Sequence, residues 1–140
     1  MGKPGPRPKA VRAREDRTQH REQEFVHVVA DGQVRGPELP DGDWPDATVR
    51  WWQTWRTSAQ AQGFSPTDWD FLLDTALLHR ALWLGDTRVA SELRLRLVKF
   101  GPTEDDRARL RVRIDDPATA RVSDTTRRAR LLALTDERTT

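Results

Sequence analysis

SPTDWDFLLDTALLHRALWL, residues 65–84, decides the fold of this chain. Ser65 stands before Pro66, and Asp68 follows Ser65 by three residues. A serine there can cap the N–H of Asp68 while the aspartate reaches back to the serine's own N–H. Proline suits the first turn, where its missing N–H would have had no intrahelical partner. Trp69, Leu72, Leu73, Ala76, Leu77, Arg80 and Leu84 then recur at helical spacing. The pattern predicts a helix of about 19 residues, roughly 28 Å long. Phe71, Leu78, Leu82 and Trp83 make it apolar over more than one face. Such a helix lies at the centre of a core or against another subunit. Trp69, Leu72, Leu73, Leu77 and Trp83 are therefore the candidate oligomerisation residues.

Helix signals continue on both sides. Upstream, Trp44-Pro45-Asp46 opens a helix carrying Trp51, Trp52 and Trp55, which ends near Gly63. Downstream, Gly85-Asp86 breaks the chain and caps a third helix through Val89, Leu93, Leu97 and Phe100, closed by Gly101-Pro102. Thr103-Glu104-Asp105-Asp106 caps a short fourth helix over residues 105–113, and Asp115-Asp116-Pro117 stops it. The expected fold is mainly α: a small bundle of three to four helices with flexible basic tails. Before it, FVHVVADGQV at 25–34 predicts one extended segment, or a small hairpin turning at Asp31-Gly32. The expected organisation is a basic flexible arm at 1–24, an extended segment and linker at 25–44, a helical core and oligomerisation domain at 45–115, and a polar C-terminal tail at 116–140. One apolar run in that tail, Leu131 to Leu134, suits a terminal helix against a partner.

The composition is 36% hydrophobic and 33% charged, so the core is small for 140 residues and self-association would help it. The net charge of +2 conceals a segregation. Residues 1–40 hold 8 basic and 6 acidic side chains, residues 41–106 hold 7 and 11, and residues 107–140 hold 9 and 5. An acidic body between cationic ends attracts a polyanion, of which nucleic acid is the usual example; charged tails that only solvate the domain are the plain alternative.

Catalytic chemistry has little support. The chain lacks cysteine, which removes thiolate metal sites, disulfides and cysteine nucleophiles. His20, His27 and His79 do not share the spacing of a metal site, and His79 is expected at the edge of its helix. Asp41, Asp43 and Asp46 lack the pattern of a calcium loop, and Asp70 with Asp74 has no convergent third group. Neither a phosphate loop, a nucleophile elbow nor a dinucleotide fingerprint occurs. No catalytic residue, metal or cofactor is expected, and neither is a secretory leader or a membrane span. Six tryptophans could stack on bases, but Trp51, Trp52, Trp55, Trp69 and Trp83 hold core spacing. The candidate DNA-binding residues are therefore cationic: Lys3, Arg7, Lys9, Arg12, Arg14, Arg17 and Arg21 in the arm, and the alternating Arg107, Arg109, Arg111 and Arg113. On a helix the last four would wrap around it, whereas on a strand they would line one face. Neither pattern reads a base sequence; both would set affinity and its salt dependence.

The segments GPELPDGDWPDATVRWWQTWRTS, TDWDFLLDTALLHRALW and ASELRLRLVKFGPTEDDRARLRVRID together resemble small terminase subunits of tailed double-stranded-DNA phages, those of actinobacteria in particular. Gly36-Pro37, the Trp51-Trp52 pair with Trp55, Trp69-Asp70-Phe71-Leu72 and Phe100-Gly101-Pro102-Thr103 carry the likeness, and GKPGPRPKA resembles the family's basic leader. The resemblance implies a non-catalytic adaptor in the host cytoplasm. It would bind double-stranded viral DNA, form a homo-oligomer, a ring, and deliver DNA to the large terminase subunit, which holds the ATPase and nuclease. The helix-turn-helix that many such subunits carry near the N-terminus has no counterpart in the polar, proline-rich start of this chain. A helical protein–protein adaptor or phage structural component is the alternative, and a small transcriptional regulator a third.

Overall fold

The structure is a computed structural model that describes residues 25–136, with the side chains at 123, 124 and 129–136 excepted. Its elements run in the order β1 (Val26–Val29), α1 (Asp46–Thr57), α2 (Pro66–Trp83), α3 (Ala90–Leu97), α4 (Glu104–Arg109), β2 (Val112–Asp115) and α5 (Pro117–Asp136). Short 3-10 turns at Ala59–Gly63, Thr87–Val89 and Val98–Phe100 join the helices. The fold is mainly helical, as the periodicity predicts.

The strongest local signal forms as expected. Ser65 accepts from the Asp68 N–H at 3.4 Å, and Asp68 accepts from the Ser65 N–H at 2.8 Å, so both ends of the capping box are closed. Gly101 takes a left-handed conformation, φ +70°, that ends the third helical segment where the Gly-Pro pair predicts it.

Packing gathers the aromatics around α1 and α2. Trp52 and Leu72 are completely buried, and Trp55, Trp69, Ala61, Ala76 and Phe100 complete the core. The rings meet edge to face: Trp52 and Trp69 at 5.7 Å, Phe64 and Trp69 at 5.2 Å, Trp55 and Phe100 at 5.9 Å. Pairs of this geometry add about 0.5–1.5 kcal/mol each beyond their buried area. A small bundle with few aliphatic side chains is thus held by large, rigid ones.

The linker before α1 is part of this packing. Trp52 Nε1 donates to the Pro37 carbonyl at 3.0 Å. Arg56, itself buried, donates through Nε to the Arg35 carbonyl and through its terminal nitrogens to the Gly36 carbonyl, Gln53 and Glu38. A buried guanidinium is tolerable only when its donors are satisfied, and here backbone carbonyls and a carboxylate satisfy them.

Two expectations need correction, and a third is decided between its alternatives. At 25–34 the extended segment forms and not the hairpin: β1 pairs in parallel with β2, Val26 opposite Val112 and Val29 opposite Asp115. Asp31-Gly32 does turn the chain, with Asp31 accepting from the Gln33 N–H and from Arg35, but the turn leads into the linker and not back along β1. The fourth helix ends at Arg109 and not at Arg113, because Arg111 adopts φ +56° and the next four residues join β1. Finally, Asp116-Pro117 stops no helix; it follows β2 and starts one. Asp116 accepts from the Ala118 N–H at 2.7 Å, Pro117 is the first residue of α5, and the segment expected to be a polar tail is helical to Asp136. None of the described α5 side chains is buried, so these side chains add nothing to the core of their own chain.

Candidate nucleic-acid and assembly interfaces

The cationic candidates fall into three groups. Lys3, Arg7, Lys9, Arg12, Arg14, Arg17 and Arg21 lie outside the described residues. Arg107 and Arg109 belong to α4, Arg111 to the turn after it, and Arg113 to β2, so the four neither wrap one helix nor line one strand. Arg107 turns inward and donates to the Gly101 and Pro102 carbonyls at 3.2 Å. Arg109 pairs with Asp105 at 2.6 Å on the helix surface. Arg113 sits 5.3 Å above the Phe25 ring. Arg107 is thus chiefly structural, while Arg109, Arg111 and Arg113 remain exposed. The third group is one that sequence reasoning missed: Arg121, Arg127 and Arg128, all exposed on α5. The signal that could have found it is Asp116-Pro117, the same cap-then-proline order as Ser65-Pro66. As a helix start, it carries the cations of β2 onward along α5.

The candidate oligomerisation residues also divide. Trp69 and Leu72 are enclosed in the chain's own core and cannot meet a neighbour. Leu73 is half-buried against that core. Leu77 and Trp83 are 52% and 59% exposed, and Leu84 beside them is exposed as well. A second apolar feature is an open groove of about 680 Å³ between the sheet and the helices. Val26, Val28 and Val112 form one wall, Phe64, Phe71 and Leu110 much of the rest, with Asp68 and Lys99 among the polar lining.

His79 lies inside, not at the helix edge. Its Nδ1 is 2.9 Å from the Thr48 hydroxyl, and its ring stacks on Trp51 with centroids 4.7 Å apart. Burial penalises the imidazolium and lowers its pKa from the ordinary 6.5. His27 Nδ1 meets Asp115 at 2.9 Å and ties β1 to β2 near the surface. These contacts account for both histidines structurally. Among the described residues there is no group of His, Asp and Glu able to hold a metal ion. None of the described helices is long and apolar enough to cross a membrane.

The described residues thus form a small helical fold with exposed arginines at 109–128 and exposed apolar side chains on and beside α2. The particular family follows from comparison: a family model described as phage terminase small subunit matches residues 3–138, and the chain belongs to that family. Searches of curated proteins and of solved structures return no match.

Proposed function

We propose that this packaging component is a non-catalytic DNA adaptor. It binds double-stranded viral DNA through the basic arm and the cations around β2, assembles into a ring, and hands the DNA to the ATPase and nuclease of the large terminase subunit in the host cytoplasm. The observation that carries this reading is the charge segregation: an acidic body at 41–106 followed by exposed arginines from Arg109 through Arg128. Such cations neutralise phosphates without reading bases, which suits a protein that must hold a duplex and pass it on. The exposed Leu77 and Trp83 supply apolar surface for subunit contact.

Fluorescence anisotropy of a labelled duplex, titrated at several salt concentrations, tests the reading. Binding that weakens steeply and linearly in log affinity against log salt is expected. Absence of binding at low salt would leave the protein–protein adaptor as the function, a reading for which the exposed Leu77, Trp83 and Leu84 are the specific support.

A further inference from the structure

β1 is held to the rest of the molecule by few and exposed contacts. It pairs in parallel with a single strand of its own length, from Val26 with Val112 to Val29 with Asp115. A two-stranded sheet of this size is marginal by itself, and parallel pairing is slightly weaker per residue than antiparallel. None of the residues of either strand is buried, and none enters the apolar core. Successive side chains of a strand point to opposite faces. Val26, Val28 and Val112 line the open groove, so the apolar face of the sheet is not packed down, and Val26 is left 62% exposed. On the other face His27 meets Asp115 at 2.9 Å, and Phe25 lies under Arg113 at 5.3 Å. Gln62 Nε2 latches the far end of β1 by donating to the Val29 carbonyl at 2.7 Å. Both hydrogen-bonded ties are exposed to water.

The chain that follows β1 is anchored far more firmly. The Arg35 N–H donates to the Arg56 carbonyl at 2.9 Å, and Gly36 packs against the Trp69 indole. Between that anchor and β1 stands Gly32, at φ +65° with nothing near its Cβ position. The Asp31–Arg35 pair that closes the turn is local to it. On the partner strand, Arg111 enters β2 at φ +56°, a conformation that an L residue adopts at a cost. Loss of β1 lets that residue relax. We propose that β1 is a strap: it detaches from β2 and from Gln62 as one unit, turning about Gly32, while the helical core stays folded. Elements with few buried contacts are the ones that open below the global unfolding free energy. Residues 1–24 directly precede the strap, which therefore sets where the basic arm leaves the molecule: beside β2 when closed, clear of it when detached. Detachment also lifts Phe25 from Arg113. The device does not depend on what the arm binds.

Native-state hydrogen exchange of the full chain, followed amide by amide with NMR at several low urea concentrations, tests the strap. The informative amides are Val26 and Ala30, which donate across the sheet to the Arg111 and Asp115 carbonyls at 2.8 and 3.1 Å. Both should exchange through one opening, with a common protection factor at least about a hundredfold below that of Trp52 and Leu72 in the core. That opening should respond weakly to urea, because it exposes little surface. His27→Ala and Gln62→Ala, made separately, each remove one tie. Each should speed exchange at Val26 and Ala30 several-fold and equally, and leave Trp52 and Leu72 within about twofold of the parent. Sheet amides as slow as Trp52, with the same urea response, would mean that β1 leaves only when the core unfolds, and would overturn the proposal. Amides that exchange as fast as those of an unstructured peptide would overturn it too, since the strap would then never be closed. A variant that speeds only the amide nearest its own site would replace unit detachment with fraying from one end.

Discussion

Gly36 lies flat against the indole of Trp69, so close that a Cβ on Gly36 would fall 2.3 Å from Trp69 Cε2. The glycine also has φ +70°, a conformation that other residues rarely adopt. On either side of it the carbonyls of Arg35 and Pro37 are taken by Arg56 and Trp52. The linker is thereby fixed across the core, and Trp69 is sealed by backbone in place of a side chain.

Gly36→Ala should therefore be severe. Strain at positive φ and the clash with a packed indole together give a loss of roughly 2–5 kcal/mol. Gly32 shares the backbone conformation, φ +65°, but nothing lies near its Cβ position. Gly32→Ala should cost only about 1–2 kcal/mol. Urea unfolding of the two variants makes the comparison. Equal midpoints would mean that contact with Trp69 contributes nothing.

The local signals were legible because their causes are local. The Ser65–Asp68 box and Gly101 after Phe100 each involve residues within a few turns of one another and formed as expected, and Trp52, Trp55 and Trp69 entered the core, while Trp83, read at the same spacing, stays 59% exposed. The pairing of β1 with β2 was not legible, since its partners stand 86 positions apart, Val26 with Val112. Two four-residue strands carry no pattern that identifies a distant mate, and Asp31-Gly32 offered a nearer, wrong one. That pairing also divides the arginine series, ending the helix before Arg111. The burial of His79 was hidden for a similar reason. It depends on Thr48 and Trp51 from another helix.

Acid should weaken the fold through His79 before it weakens it through carboxylates. The folded protein holds this imidazole below its ordinary 6.5, so below that pH the unfolded chain binds the proton more readily. Stability is then full above about pH 6.5 and declines as pH falls toward the folded-state value. Asp31, Asp68 and Asp86 are held below 3.8 by Arg35, by Ser65 and by Arg88, so what they contribute is lost only in more acid solution, below 3.8. Melting temperatures between about pH 7.5 and 4.5 isolate the histidine window. His79→Gln, which keeps a polar group near Thr48, should flatten the profile there. A parallel slope in the variant would place the titrating group elsewhere.

Neighbouring arginines should differ in what they do for stability. Arg107 donates to two carbonyls at the Gly101 cap, and its stem packs beside Gly101. Arg107→Ala should lose about 1–2 kcal/mol. Arg109 makes an exposed i,i+4 pair with Asp105, and Arg109→Ala should stay within about 0.5 kcal/mol of the parent. Thermal melts of the two variants check the order, and a more harmful Arg109→Ala would reverse the assignment.

Leu77 and Trp83 offer a similar separation of folding from assembly. Both are more than half exposed, so Leu77→Arg and Trp83→Arg should leave the melting temperature nearly unchanged. If this patch meets a neighbour, a desolvated arginine there weakens association by at least about tenfold. Sedimentation across a dilution series measures it. Unaltered association in both variants removes the patch from the subunit contact and leaves the groove as the apolar surface to consider.

The strongest test of function uses the arm. Arg7, Lys9, Arg12, Arg14 and Arg17 replaced together by alanine should weaken binding to all duplexes alike, because contacts to phosphate carry no sequence information. The slope of log affinity against log salt should flatten by about 0.9 for every phosphate that the arm neutralises. Charged side chains of this kind are not expected in an apolar core, so melting temperature and oligomer mass should hold. Arg109, Arg111 and Arg113 replaced by alanine form the comparison. They stand on α4, the following turn and β2, against the folded body, and Arg107 is left in place because it caps Gly101. A flattened slope in the arm variant alone assigns the phosphates to the arm. An unchanged slope there, with a large drop in affinity in the second variant, moves DNA to the side of the molecule where β2 passes into α5. If both variants bind like the parent, phosphates are held by the helical body or by the arginines of α5, and Arg121, Arg127 and Arg128 become the next residues to replace.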